Sequence, residues 1–476
     1  MLRSHLLAPM VAAFLIIPSL SFAAANACLT GTCHSAITAI KKQHSAVKGG
    51  DCVDCHKQQA PQHPTPGQKG FTLIDQGVKL CANCHEIPGK KKTVHIPVKD
   101  GECLFCHRPH GTDNPFLLPV ETDRTKLCFE CHDGDTFKRK FRHAPVVAGS
   151  CNICHAPHES DEPRFLRAPI RDVCFKCHTD FAQGFKNATT VHSPVKASLC
   201  VTCHTPHGTD NPFILKATPP ELCFQCHQAL KDKLAKNTTQ HKPVLQQRGC
   251  VTCHSPHYSL GKRLLPSAQK DLCLQCHGDD KLAPLKNIRA QITGMPTLHG
   301  PVAAGTCTAC HDPHGSTNFR MLKGAYPATF YAQYTEGAYA LCLGCHQKNL
   351  LRYPDTSVYT NFRNGTRNLH FVHVVGANRK GRTCRACHQP HASDGPKLTS
   401  TTGTTFGAWQ IPVRLQLTAT GGSCAAACHP PIKYDRVTPV PYTLFSKPEP
   451  PILGAPSSAR QGVLGAPSSA RQGAQK

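Results

Sequence analysis

The sequence predicts a chain of mostly irregular coil with short helices, drawn out as an elongated repeat of small units with little or no sheet. Three observations carry that prediction. The 476 residues include one tryptophan and 6% aromatic residues against 40 prolines, a thin supply of large apolar side chains for the cores that two to four ordinary domains would need. Thirty cysteines all fall into a single pattern. The stretch CLFCHRPHGTDNPF from Cys103 returns as CVTCHTPHGTDNPF from Cys200, the mark of a tandem repeat.

The cysteines form fifteen pairs, each followed at once by histidine. Thirteen read CxxCH: Cys52, Cys55 and His56; Cys81, Cys84 and His85; Cys103, Cys106 and His107; Cys128, Cys131 and His132; Cys151, Cys154 and His155; Cys174, Cys177 and His178; Cys200, Cys203 and His204; Cys223, Cys226 and His227; Cys250, Cys253 and His254; Cys273, Cys276 and His277; Cys307, Cys310 and His311; Cys342, Cys345 and His346; Cys384, Cys387 and His388. Two have longer spacers, CLTGTCH with Cys28, Cys33 and His34, and CAAACH with Cys424, Cys428 and His429. No cysteine is left over.

Two thiols at this spacing can add to the two vinyl groups on one edge of a porphyrin, and the tether then holds the next side chain against the iron. CxxCH is therefore read as a covalent haem c attachment site. Zinc would need two such pairs, or a pair with two spaced histidines, and neither zinc nor a disulfide framework requires histidine directly after every pair. The two variants are assigned to haem as well, their extra residues looped out, which makes fifteen covalently attached haems.

Histidine numbers then suggest the second axial ligand. Apart from the fifteen motif histidines and His5, fifteen remain: His44, His63, His95, His110, His143, His158, His192, His207, His241, His257, His299, His314, His370, His373 and His391. Methionine cannot serve generally, since beyond the leader only Met295 and Met321 remain. The spare histidines are expected to be distal ligands, giving bis-histidine iron throughout.

Their placement follows the repeat. From Cys81 a unit reads LCANCH, a spacer, HIPV, GECLFCHRPH and NPFLL. One spare histidine lies in the H-x-P-V segment (His373 in the variant FVHVVG) and the other follows CH-x-P. The proline ends the short helical turn carrying the motif, so the histidine after it should reach a neighbouring haem. The apolar residues that follow, as in FLL from Phe116 and FIL from Phe213, should cover haem faces. Boundaries fall at 28–80 for a degenerate first unit, then 81–127, 128–173, 174–222, 223–272, 273–341 and 342–396, with a single-haem segment at 397–436. His370 is the histidine outside the repeat, and is assigned to the haem of Cys424, Cys428 and His429, with His373 serving the repeat itself.

These motifs resemble those of the multihaem c-type cytochromes with doubled CxxCH motifs, a group prominent in metal-reducing bacteria. The resemblance covers roughly residues 28 to 436 and implies haems packed closely as an electron wire in the periplasm, at the outer membrane or outside the cell. Iron with histidine on both sides has no open position for substrate, so outer-sphere electron transfer is expected rather than catalysis. The implied partners are other redox proteins, periplasmic or outer-membrane cytochromes and a porin among them, with acceptors such as metal oxides. Two alternatives stand beside this: a nitrite- or hydroxylamine-type reductase with one open haem, and a subunit of an extracellular cytochrome filament.

The formal charge of +25 would otherwise suggest an anionic partner. Two propionates per haem, against one positive charge on each ferric core, bring the mature total to about +9 oxidised and about −6 reduced, so nucleic acid is not expected. At the N-terminus, Arg3 and His5 lead into LLAPMVAAFLIIPSLSF and then AAANA, the order of an export signal peptide over 1–27 with cleavage between Ala23 and Ala27. No transmembrane segment is expected after cleavage. Between Lys397 and Gly422, TTFGAWQIPVRLQLTATGG suggests a short hairpin, and 437–476 is a Pro-rich tail in which LGAPSSARQG occurs twice.

Overall fold

The computed structural model describes residues 27–29, 33–64, 66–120, 125–282, 285–376 and 381–442. The leader before Ala27 and the repeated segment at the C-terminus lie outside the described residues. The chain divides into two compact units, the first ending at Thr218 and the second beginning at Pro219.

In the first unit the regular structure is short and tied to the motifs. Cys103–Phe105 and Cys151–Ile153 are 3-10 turns, Cys200–Cys203 is one helical turn, and the longest helix, Thr179–Asn187, has nine residues. Proline at the start of Ile96–Lys99 and Ser193–Lys196 presets the helical φ where no amide donor is needed. Two-residue ladders join distant segments: Lys42–Gln43 pairs with Gly111–Thr112, Thr93–Val94 with Glu159–Ser160, and Phe141–Arg142 with Gly208–Thr209, all antiparallel. Gly111 cannot be replaced freely here. At its φ of +138° a Cβ would lie 2.5 Å from the Lys42 carbonyl oxygen, so the ladder requires a bare backbone.

The second unit opens with the same arrangement, in which Thr239 bridges Ser316 and Thr297–Leu298 pairs with Ala392–Ser393. Its later part is different. A hydrophobic cluster of Leu322, Tyr326, Tyr339, Leu351 and Val374 is joined by a three-stranded sheet of Leu415–Leu417, Gly421–Cys424 and Ile432–Asp435. The expected hairpin is present as Thr404–Phe406 against Trp409–Ile411. Most buried apolar side chains of the described residues lie between Leu322 and Tyr434. The prediction of a coil-rich chain with short helices and little sheet therefore holds, and packed protein core is concentrated in this region. Among the described residues no helix is long and apolar enough to cross a membrane.

Candidate haem-binding sites

The second motif of six repeats, from Cys103 onward, carries its own positioning device. The His107 ring Nδ1 bonds the Phe116 carbonyl at 2.9 Å. The same bond, nine residues downstream, links His155 to Arg164 (2.8 Å), His204 to Phe213 (3.0 Å), His254 to Arg263 (2.9 Å), His311 to Arg320 (3.0 Å) and His388 to Lys397 (2.9 Å). Each acceptor is the first of two successive non-glycine residues in the left-handed region, as with Phe116 (φ 61°) and Leu117 (φ 57°). The second carbonyl also has a task, since Leu117 accepts the Arg108 amide at 2.8 Å and Ile214 that of Thr205 at 2.8 Å.

Left-handed geometry costs about 1–2 kcal/mol for each such residue, so something must hold it. In GTDNP that is a clasp. The Thr112 hydroxyl accepts from the Asn114 amide (3.0 Å) and donates to the Asn114 carbonyl (2.9 Å), while Asn114 Nδ2 donates to Leu118 (3.2 Å). Thr209, Asn211 and Leu215 repeat it. A carbonyl on Nδ1 fixes the proton there, orients the ring and leaves the Nε2 lone pair for a metal.

The spare histidines are positioned by the ladders. His44 donates its backbone amide to the His110 carbonyl (3.1 Å), His95 to His158 (2.9 Å), His143 to His207 (3.2 Å) and His299 to His391 (3.1 Å). One short ladder thus carries two spare histidines from successive repeats. The proline of CH-x-P-H adds a second contact: Nδ1 of His143 donates to the Pro206 carbonyl at 3.1 Å, that of His241 to Pro313 at 2.9 Å and that of His299 to Pro390 at 3.0 Å.

The structure then brings motif and spare histidines together ring to ring. In the first unit the facing pairs are His34 with His63, His85 with His44, His56 with His110, His132 with His95, His107 with His158, His178 with His143 and His155 with His207. In the second they are His277 with His241, His254 with His314, His346 with His299, His311 with His391 and His388 with His370. Ring centres lie between 5.8 Å for His44 and His85 and 6.5 Å for His370 and His388. His192 and His204 in the first unit, and His227 and His257 in the second, hold the corresponding positions in the sequence repeat.

The pairing has a direction. A histidine of the H-x-P-V type faces the first motif of the following repeat, as His95 faces His132. A histidine after CH-x-P faces the second motif of the preceding repeat, as His158 faces His107. Neither faces a motif of its own repeat. The ends need separate solutions, and one corrects the sequence expectation: His370 faces His388, and His373 lies in electrostatic contact with His429, the reverse of the assignment from sequence. His373 obeys the forward rule, which makes the Cys424 motif its target. The motif left without a donor is that of Cys384, because no later CH-x-P-H follows, and His370 takes that place with its Nδ1 on the Thr360 hydroxyl at 3.0 Å. Burial and the facing His388 hold the His370 imidazole down to about 3, and burial with His311 holds His391 down to about 4. Both are neutral, lone-pair-bearing rings at ordinary pH.

The cysteines show an alternation that periodicity did not reveal. First cysteines meet thiol to thiol within a repeat: Cys28 with Cys52, Cys81 with Cys103, Cys174 with Cys200, Cys223 with Cys250, Cys273 with Cys307 and Cys342 with Cys384. Second cysteines approach between repeats: Cys55 with Cys84, Cys106 with Cys131, Cys154 with Cys177, Cys253 with Cys276, Cys310 with Cys345 and Cys387 with Cys428. After attachment these thiols are thioethers on one edge of the macrocycle, so successive motifs in the chain are also neighbours in space along each unit.

The donor set fits haem. Two metal–imidazole bonds of about 2.0–2.1 Å plus the offset from each Nε2 to its ring centre give roughly 6.4 Å between rings, the spacing seen. Among the described residues no three His, Cys, Asp or Glu side chains converge on one metal-ion site, whereas zinc takes four ligands. Paired imidazoles beside paired thiols define a c-type, multihaem electron-transfer protein. The doubled CXXCH motif family model matches residues 44–89, 95–137, 143–183, 192–232, 241–282, 299–350 and 376–406, and the chain belongs to that family. Six of the seven matched segments open on an H-x-P-V-type or equivalent histidine, His44, His95, His143, His192, His241 or His299. No curated protein matches the chain significantly.

Proposed function

We propose that the chain carries fifteen haems, each held between two histidines, and conducts electrons along the order of its motifs without transforming a substrate. The observation that carries this is the uniform facing of motif and spare imidazoles. The haem iron supplies a one-electron couple when bound. The protein's part is to fix at least one ligand ring of most facing pairs through an Nδ1 contact to a carbonyl, as at His107 and His143, which limits the reorganisation of that ring when the charge changes, and to bring the thioether edges of successive sites together. Position in the repeat gives His192 and His257 the distal role and His204 and His227 the proximal one. A closed coordination sphere at every iron favours transfer over reductase chemistry.

The leader and the cysteine usage support export, and we place the protein in the periplasm or at the outer membrane, passing electrons from periplasmic donors to outer-membrane or extracellular acceptors. Intact mass and low-temperature EPR of the purified holoprotein test the reading. Fifteen haems, all low-spin when oxidised, are expected. Thirteen would remove the sites at Cys28 and Cys424, and a resting high-spin signal would restore an open, enzymatic haem.

A further inference from the structure

The environment of the ligands changes abruptly along the chain. Beside the earlier distal histidines the apolar neighbours are open, Ile96 being 71% exposed after His95. Around His370 and His373 they are closed: Leu369, Phe371 and Val374 are 2%, 4% and 6% exposed. Phe362 packs on both imidazoles and edge-on against buried Tyr434. Ala386 and Thr383 seal the Cys384 motif.

Into this enclosure comes Arg382. It lies in electrostatic contact with Cys387 of one motif and with His373, itself in electrostatic contact with His429 of the next. Its Nε is buried and, among the described residues, makes no hydrogen bond. Among the described residues it has no acidic side chain at ion-pair distance. Cations stand near other motif cysteines too, such as Arg171 by Cys200, Arg108 by Cys106 and Lys323 by Cys310. Those side chains are exposed, where solvent screens them.

Oxidised bis-histidine haem iron carries one more positive charge than reduced iron. An enclosed site and a nearby cation both disfavour that extra charge, and burial and local charge are among the levers that set haem potentials. We propose that Arg382 and the closed C-terminal pocket give the haems of Cys384/Cys387 and Cys424/Cys428 the highest potentials in the chain, which makes the C-terminal end the terminus where electrons collect. This rests on the bis-histidine reading above.

The test is a spectroelectrochemical titration of the holoprotein, after mass and resting EPR have established haem number and spin state. Wild type should show a wave of two haems in fifteen, positive of the rest. Arg382→Gln should move that wave negative by at least a tenfold change in the reduction equilibrium, 59 mV for one electron, while Arg382→Lys, keeping the charge, should move it less. A wild-type titration with no separate two-haem wave overturns the proposal, whether or not the variant folds. So does a glutamine variant that leaves the wave in place, or a lysine variant that shifts it equally. Loss of haems or a resting high-spin signal would instead defeat the underlying reading.

Discussion

Substituting His158 by alanine should open a haem that His158's own motif does not hold. His158 follows the Cys151/Cys154 motif in sequence, yet its ring faces His107, which belongs to Cys103/Cys106, at 5.9 Å between centres. Removing the imidazole leaves one iron, one of the fifteen proposed, without its sixth ligand. The loss should stop there. The bond from His95 to residue 158 uses the backbone carbonyl, at 2.9 Å, and alanine keeps it, so His95 stays facing His132. EPR of the oxidised variant should show one new high-spin haem. Adding Cys103→Ala and Cys106→Ala should abolish that signal and lower the mass by one haem. Adding Cys151→Ala and Cys154→Ala should lower the mass equally and leave the signal. The reversed pattern would show that each repeat caps its own haem and would refute the exchange of ligands, while two high-spin haems would refute the backbone account of the ladder.

Two further outcomes follow from local geometry. Phe213→Val puts a β-branched residue at φ 59°, a genuine outlier that should weaken the turn by about 1 kcal/mol, with little packing lost because Phe213 is 83% exposed. As its carbonyl leaves His204 Nδ1 the ligand becomes less basic, so one haem in fifteen should titrate at a more positive potential, and an unchanged titration would remove the turn's electronic role. Glu159 accepts the amides of Gly89, Lys90 and Lys91 at 2.6, 2.8 and 3.1 Å, and these bonds, that of Lys91 foremost, hold its carboxyl below the usual range. Its stabilisation is therefore present above the unfolded value near pH 4.3 and lost as pH falls through the lower folded value. Glu159→Gln should flatten acid sensitivity in that window, and an acid-unfolding profile identical to wild type would contradict this.

The haem attachment positions were legible because their chemistry is local: two thiols and a histidine must be adjacent in sequence to meet one porphyrin edge. The spare histidines could be counted for the same reason, but not directed. His95 and His158 are 63 residues apart, and nothing in HIPV or HAPH says that their backbones meet; that register depends on a ladder of two residues. The left-handed turns escaped for a related reason. Phe116, Arg164 and Phe213 read as apolar or basic cover, whereas it is their carbonyls that act, and carbonyls have no signature in a sequence. GTDNPF did carry a signal, since the threonine and asparagine needed for the clasp recur together. The core between Leu322 and Tyr434 was hidden by averaging, its aromatic residues diluted by a long chain poor in them.

A rule by which each repeat caps its neighbours leaves both ends deficient. The first haem has no preceding repeat to supply an H-x-P-V histidine, and the motif at Cys384 has no following repeat to supply a histidine after CH-x-P. The chain solves these problems differently. At the start His63, seven residues after His56 where other repeats have three, turns back to face His34. At the other end an additional histidine, His370, is inserted into an enclosed helical turn and faces His388. An interior haem inherits its two ligands from the ladder rule, so repeats can be added or removed between the ends without inventing a ligand. A terminal haem needs its own architecture. The spacers CLTGTCH and CAAACH occur in the first and last motifs and nowhere between, which follows if the constraint of fitting both neighbours is what holds the interior motifs to CxxCH. The dense core lies with these last motifs, where Leu369, Phe371 and Val374 are buried around His370 and His373 and protein encloses the site.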